Sequence, residues 1–410
     1  MGDPWDDGTR EGPLGDIRVL DIATLLAGPM IATYLGDFGA DVIKVEHPKG
    51  DPLRSFGWQK DGVSIWWKTA SRNKRTCTLN LSDADDQETL CELVRGADVL
   101  IENFRPGTME RWNLGYERVS DLNPELVMVR TSGFGQTGPY SSRPGFGTLV
   151  EAMSGMAWVL GEEDGPPIVP PFPMADGVAA LFGTFATMTA LHRRRQTGRG
   201  QCIDLSLLEP LTAFVGPQVT AYDQTGTIER RAGSRAYFSA PRNAYRTADD
   251  RWVAISTSAQ TAADRLFESI GRGDLVQGGR FDTNHKRIRH ADELDALIAD
   301  WVADHTLNEV MAIWDEHAVA GAPIYNVLDI IADEHVKARE MFIEVDDPDL
   351  GRLRMHDVFP RLSESPGRVR FSGRALGADN EEILGPIRAR TATAADPVRA
   401  TNSPTRGRDT

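Results

Sequence analysis

The sequence predicts an α/β protein whose parallel sheet is covered by helices on both faces. Between residues 17 and 131, short apolar segments typical of buried strands alternate with segments of helical spacing. A long helix rich in small residues then covers 176–195 and leads through a Thr-Gly-Arg-Gly turn into an alternating segment at 203–207. Strands that alternate with helices in this way form parallel sheets that are buried on both faces.

The strands of this sheet are predicted at 17–21, 41–46, 76–81, 99–102, 126–131 and 203–207. One helix is predicted to open at Ala27, with Pro29 near its first turn, and another to cover 85–95. Ligands of such folds bind in loops beyond the carboxyl ends of the strands. The loops of interest therefore begin near Thr24, His47, Ser82 and Asn103.

A change of pattern after residue 210 predicts a second, smaller α+β domain. We assign 14–210 to a large domain, 225–325 to the small one and 326–387 to a return into the large domain. The small domain is predicted to contain a strand at 252–255 and helices from 266, at 291–303 and at 307–316. The return is predicted to contain a helix at 330–341 and a strand at 353–358. The polar, low-complexity residues 388–410 predict a disordered tail.

Composition excludes several classes of protein. The net charge of −15 over 410 residues argues against a nucleic-acid partner. Three cysteines without metal spacing, and an acidic N-terminus without an apolar core, predict a reduced, cytoplasmic setting. The longest weakly polar run, 177–191, is too short and too rich in Gly and Thr for a membrane span. We therefore expect no nucleic acid and no membrane as partners.

Templates for other chemistries fail. The sequence lacks G-x-S-x-G, a Walker loop and G-x-G-x-x-G, which argues against a serine hydrolase, a P-loop enzyme and a nicotinamide-binding protein. His285 and His290 lack the helical spacing of metal ligands, so no metal is expected.

Asp176 lies where an extended, proline-rich segment becomes the long helix. The residue type alone favours a helix N-cap, because Asp is a preferred capping residue. The alternative is a covalent nucleophile, since carboxylates form acyl intermediates and a helix start stabilises an accessible anion.

The ordered motifs around Asp176 resemble those of the family III CoA-transferases, the group named for carnitine and bile-acid CoA-transferases (CaiB/BaiF). The resemblance covers roughly 14–387, and its motifs lie at 20–21, 27–29, 39–46, 73–75, 102–107, 175–177, 197–201, 322–323 and 338–342. It implies a large Rossmann-like domain, a small domain between its two parts, and an interlocked homodimer. It also implies that Asp176 is the nucleophile in moving CoA from an acyl-CoA to a carboxylic acid, by way of an aspartyl anhydride and an aspartyl-CoA thioester.

The same resemblance implies which residues contact CoA, which is then a substrate; no tightly bound cofactor is expected. These residues are Leu25, Ala27, His47, Leu79, Ser82, Asn103, Phe104, Arg105, Arg111 and Phe146. The arginines are suited to the pyrophosphate and 3′-phosphate of CoA. For each of them the alternative is a solvated surface charge.

Departures from the family pattern bear on the substrate. His47 stands where the family often has Arg, Leu26 where many members have Gln, and the region 235–243 lacks the glycines of formyl-CoA transferases. Phe146 and Gly147 replace a Tyr and an acidic residue found in members that act on small polar acids. A larger or less polar acid than oxalate or formate is therefore expected.

Two alternatives remain open. Racemases of the same fold shuttle an α-proton between a His and an Asp, and the position of that His is Phe146 here, which disfavours racemisation or isomerisation. The other alternative is a non-catalytic protein that binds CoA esters. The sequence does not name the donor or the acceptor.

Overall fold

The computed structural model describes residues 4–5, 11–257, 259–276 and 279–395, the last five by their backbone alone. The strands of these residues are β1 (Arg18–Asp21), β2 (Asp41–Glu46), β3 (Gln59–Lys60), β4 (Val63–Ser64), β5 (Lys74–Thr78), β6 (Val99–Glu102), β7 (Val127–Ser132), β8 (Cys202–Ser206), β9 (Arg242–Arg246), β10 (Trp252–Ser256), β11 (Gly321–Pro323), β12 (Phe342–Asp347) and β13 (Gly351–His356). The helices are α1 (Ala27–Asp37), α2 (Ile65–Ala70), α3 (Ala84–Arg95), α4 (Thr108–Arg111), α5 (Tyr116–Leu122), α6 (Gly147–Met153), α7 (Met156–Val159), α8 (Met174–Thr197), α9 (Leu208–Phe214), α10 (Gln218–Thr225), α11 (Gln260–Ser269), α12 (Asn284–Arg289), α13 (Ala291–Ala303), α14 (Leu307–Glu316), α15 (Val327–Ala332), α16 (Glu334–Ala338) and α17 (Asn380–Ala395).

The chain forms two compact units. Of the described residues, those up to 154, 170–216 and those from 340 onward make up the first unit. The second unit comprises 155–169 and 217–339. The first unit is therefore discontinuous in sequence, and the site described below lies within it.

A six-stranded sheet forms the centre of the first unit, in the order β5-β2-β1-β6-β7-β8. Every neighbouring pair is parallel. Both faces are buried: Val19 and Val42 contribute to one apolar core, and their neighbours Leu20 and Ile43 contribute to the other. This arrangement confirms the predicted α/β class with a parallel sheet.

The return segment covers the open edge of β5. The amide of Thr76 donates to Asp379 Oδ2 at 2.7 Å, and the amide of Thr78 donates to Asn380 Oδ1 at 2.9 Å. These bonds pair backbone groups that an edge strand would otherwise leave open. The sheet is therefore completed by residues about 300 positions later in the chain.

Helix α8 buries its small residues and exposes its large ones. A Cβ added to Gly183 would collide with the buried Ile31 side chain of α1, which would then have to move, so the glycine allows the two helices to pack closely. In contrast, Leu181, Phe182 and Phe185 are 61%, 46% and 73% exposed. The small residues thus serve the contact with α1, and the large apolar stripe faces away from this core.

The length argument against a membrane span was wrong for α8. The run 177–191 belongs to a helix of 24 residues, which by length and composition alone could cross a membrane. In the most apolar 18-residue stretch of α8, 44% is buried. The core helix of a soluble protein can have the same length and composition.

The second unit has its own core. Strands β9, β10 and β11 form an antiparallel sheet in the order β11-β10-β9. Its apolar cluster includes Val253, Phe267, Ile298 and Trp314, from β10 and three helices.

Several predicted boundaries were wrong. Strand β5 begins at Lys74 rather than at 76, because Lys74 is buried and its charge is neutralised by Asp21, 2.8 Å away. The helix predicted at 330–341 is two helices, because Asp333 ends α15 and caps α16 through the Val336 amide. Leu266 lies inside α11 and does not begin it.

The prediction of a disordered tail from residue 388 was also wrong in part. Helix α17 continues to Ala395, so 388–395 are helical. Residues 396–410 lie outside the described residues.

Candidate active site

The loops chosen from the sequence meet at one edge of the sheet. Strands β5, β2, β1 and β6 are consecutive neighbours and parallel, so their carboxyl ends lie side by side. The residues that follow them include Leu79 and Ser82, His47, Leu25 and Ala27, and Asn103 to Arg105. The topology thus collects at this edge the segments predicted to contact CoA.

Asp176 is the third residue of α8 and not its N-cap. The helix begins at Met174, and the N-cap position belongs to Pro173, whose side chain makes no capping hydrogen bond. The carboxylate of Asp176 lines a cavity of about 820 Å³ in the first unit. Its position therefore suits a chemical role better than the capping role.

A second carboxylate, Glu151 of α6, supports the first turn of α8. It is 1% exposed, and its Oε1 accepts a hydrogen bond from the Ala175 amide at 3.1 Å. Asp176 and Glu151 therefore lie close together in the wall of one cavity.

The pKa of Asp176 follows from these neighbours. Burial and the negative charge of Glu151 raise it to about 6. The backbone amides of Ala27 and of Asp176 itself act in the opposite direction, because they stabilise the ionised form. A carboxylate at this pKa is more basic than an exposed one and is still largely ionised at neutral pH.

The remaining cavity wall is mostly apolar and includes five aromatic side chains. Phe56, Trp58, Trp66, Phe146 and Phe172 line it, and none of its described lining residues carries a positive charge. Phe146, at 60% exposure, is the member that the resemblance identified. The sequence analysis missed the other four, and it also missed Glu151.

Gly147 completes the wall next to the carboxylate. A Cβ at this position would lie 2.6 Å from Asp176 Oδ2, so a side chain here would displace the carboxylate.

Three of the predicted CoA contacts lie at the Asp176 cavity. Leu25 and Phe146 line it, and the amide of Ala27 faces the carboxylate. Leu79 is buried in an apolar core, so its side chain is not available to a ligand. His47 and Ser82 are exposed on their loops and do not line this cavity.

The remaining predicted contacts follow β6. Asn103 is already engaged, because its side chain exchanges two hydrogen bonds of 2.7 Å with the backbone of Thr24. Phe104 packs edge-on against Trp112, with ring centroids 4.9 Å apart. Arg105 and Arg111 are exposed, outside the cavity, and available to a phosphate.

Comparison with known proteins identifies the family. The profile of CoA-transferase family III matches residues 14–380. The chain is 42% identical to the succinyl-CoA–D-citramalate CoA-transferase of Chloroflexus aurantiacus, over 91% of this chain and 93% of that one. It is 41% identical to the beta subunit of that organism's succinyl-CoA–L-malate CoA-transferase, over 92% and 95%.

A solved structure has the same fold. The crystal structure of a CaiB/BaiF family protein from Brucella suis matches with a TM-score of 0.81 and 30% identity, covering 93% of this chain and 99% of that one. The chain therefore belongs to CoA-transferase family III and is an enzyme of that family, a CoA-transferase.

Proposed function

We propose that this enzyme moves CoA between two carboxylic acids through covalent intermediates on Asp176. The observation that carries the proposal is the position of this carboxylate, at the start of α8 and in the wall of a cavity of about 820 Å³. Its pKa of about 6 supports the role, because nucleophilicity rises with basicity while most of the group stays ionised at pH 7.

The proposed reaction has two halves. Asp176 attacks the acyl-CoA carbonyl, the C–S bond breaks, and a mixed anhydride and free CoA thiolate result. The thiolate then attacks the aspartyl carbonyl, which releases the first acid and leaves an aspartyl-CoA thioester. The second acid reverses these steps and leaves as a new acyl-CoA. Each step exchanges one activated acyl bond for another, so no ATP is consumed.

The residues of the cavity wall indicate which kind of carboxylic acid the enzyme accepts. Aromatic side chains and the absence of positive charge among the described lining residues favour an acyl group larger or less polar than oxalate or formate. The relatives named for succinyl-CoA make succinyl-CoA the first donor to test, with citramalate and malate as acceptors.

The proposal also includes the oligomeric state and the cellular compartment of the enzyme. We propose a cytoplasmic homodimer without a tightly bound cofactor, in which a second copy covers the exposed apolar residues of α8. The interlocked form remains an expectation from the resemblance. The malate relative is named as a beta subunit, so assembly with a different chain is the competing arrangement.

Trapping the intermediate tests the function. The enzyme is incubated with succinyl-CoA and hydroxylamine, digested and analysed by mass spectrometry, with Asp176→Ala as the control. We expect a hydroxamate on Asp176 in the wild type, and a folded but inactive variant. Normal turnover in Asp176→Ala would refute the assignment. Exchange of the substrate α-hydrogen with deuterium from D₂O, without transfer, would favour a racemase, and binding without either reaction would favour a non-catalytic protein.

A further inference from the structure

The loop between β1 and α1, residues 22–26, is fixed by side chains from other parts of the first unit. The Thr24 amide donates to Asn103 Oδ1 at 2.7 Å, and the Leu25 amide donates to Asp51 Oδ1 at 3.1 Å. Asn103 Nδ2 also donates to the Thr24 carbonyl at 2.7 Å. Two consecutive amides of the loop thus donate hydrogen bonds to two different side chains, and these bonds fix the path of the backbone.

Leu25 has an unusual backbone conformation. Its φ is 62°, in the left-handed region that residues with a Cβ rarely adopt. Such a conformation persists only where surrounding contacts impose it. The hydrogen bond from the Leu25 amide to Asp51 is such a contact.

Asp51 is itself fixed. It is 4% exposed, its Oδ1 also accepts the Leu53 amide at 2.8 Å, and its Oδ2 lies 3.1 Å from Lys44 Nζ. Burial alone would raise the pKa of Asp51, but Lys44 and the amides of Leu53 and Leu25 hold it below its usual range. Lys44 is also buried and donates to the Ala23 carbonyl, at the start of the same loop.

The conformation of this loop affects the surroundings of Asp176. The loop leads directly into Ala27, the first residue of α1, whose amide faces the Asp176 carboxylate. Leu25 and Leu26 also line the cavity. A change at Leu25 therefore alters both the cavity wall and an amide that stabilises negative charge on the carboxylate.

We propose that Asp51 is a positioning residue for the reaction: by fixing Leu25 in the left-handed conformation, it aligns the Ala27 amide with Asp176. Asp51 touches neither substrate nor reacting atoms in this role. The proposal rests on the proposed function of Asp176, and it assigns to a buried ion pair a part in catalysis as well as in folding.

The test uses the full chain and four variants: Asp51→Ala, Leu25→Gly, the double variant, and Asp41→Ala. We expect Asp51→Ala to lower kcat for CoA transfer from succinyl-CoA by about tenfold or more, with a smaller change in KM. The double variant should regain several-fold in kcat over Asp51→Ala, because glycine adopts the left-handed conformation without steric cost. Its Tm should stay at the lowered value, since the ion pair is still absent.

Asp41→Ala is the matched control. Asp41 is 6% exposed and lies 2.7 Å from Arg75, so this variant also breaks a buried ion pair of β2, but at the opposite end of the strand. We expect a comparable loss of Tm with kcat within about twofold of wild type.

Hydrogen–deuterium exchange of the peptide that contains 22–27 gives a readout that does not need activity. The loop amides should exchange faster in Asp51→Ala than in the wild type. In Asp41→Ala they should exchange at the wild-type rate. Wild-type kcat and exchange in Asp51→Ala would overturn the proposal. So would a loss of kcat that Asp41→Ala shares and Leu25→Gly does not relieve. If the wild-type enzyme itself transferred no CoA, the proposed function of Asp176 would be refuted instead. The hydrogen–deuterium exchange data would still decide whether Asp51 fixes the loop.

Discussion

Gly147 lies so close to Asp176 that a Cβ at residue 147 would be 2.6 Å from Asp176 Oδ2. The two residues are 29 positions apart and come from α6 and α8. We therefore expect Gly147→Ala to displace the carboxylate and to lower kcat at least about tenfold. Gly385→Ala is the control, because Gly385 is also helical and its nearest neighbour, Glu381, is 4.0 Å away. Equal kcat values for the two variants would show that the carboxylate tolerates a methyl group there.

The rate of transfer should depend on the ionisation of Asp176. Because burial and Glu151 raise the pKa of this carboxyl in the free enzyme to about 6, kcat/KM should fall as the pH drops below 6. Glu151→Gln keeps an acceptor for the Ala175 amide and removes the charge, so it should shift the acidic limb to lower pH, by up to about one unit. An unshifted pH–rate profile would contradict the coupling between these carboxylates.

Asp176 should also reduce the stability of the fold. A carboxyl whose pKa is raised in the folded state favours folding only when protonated, so its ionisation is unfavourable to the folded state above pH 6. A rise of about two units corresponds to at most about 3 kcal/mol. Asp176→Asn should therefore raise the free energy of unfolding at about pH 7.5, by about 1–3 kcal/mol, and the gain should shrink as the pH falls through 6 toward 4. Urea denaturation at several pH values measures this, and a destabilised variant at neutral pH would contradict it.

Arg105 and Arg111 should contribute to CoA binding rather than to chemistry. Both are exposed near the carboxyl edge of the sheet, and Arg111 Nη2 donates to Thr108 Oγ1 at 2.8 Å, which orients its guanidinium. Alanine at either position should weaken CoA-ester binding about three- to tenfold, measured by calorimetry, with little change in kcat at saturation. Arg95→Ala, which removes a surface ion pair of α3, is the control. An unchanged dissociation constant would remove that arginine from the site.

The exposed stripe of α8 should lie in a subunit interface. Phe185 is 73% exposed beside Leu181 and Met188, and a glutamate there would place a charge in the contact. We expect the wild type to sediment at about twice the chain mass of 45.1 kDa, and Phe185→Glu to dissociate. Arg193→Glu, also exposed and on the same helix, should leave the assembly intact. A monomeric wild type would refute the homodimer.

The sequence predicted the sheet well because its strands are short apolar segments between clear helices. It misplaced the start of β5, since a fully buried Lys74 reads as a surface residue until its partner Asp21 is known. It did not separate α15 from α16, although the Asp333 cap is a local signal three residues from the amide that it binds. It missed α17, because the packing of Ile383 against the core is a tertiary contact.

The site was predictable only in part. Motif order identified Asp176, Leu25, Ala27 and Phe146, which the structure brings together. Glu151 was missed because its segment, rich in Gly and Pro, predicts an irregular connection and not the helix α6. Its burial depends on how α6 packs on α8. The aromatic residues of the cavity wall come from two segments that are 80 residues apart at their nearest, a juxtaposition that local patterns do not encode.

The bonds from the edge strand β5 to Asp379 and Asn380 have a consequence for biosynthesis. A ribosome makes β5 some 300 residues before it makes the segment that covers it. Until then, the nascent chain carries an open strand edge that can pair with another polypeptide. Truncation just before residue 379 should therefore yield an aggregation-prone product.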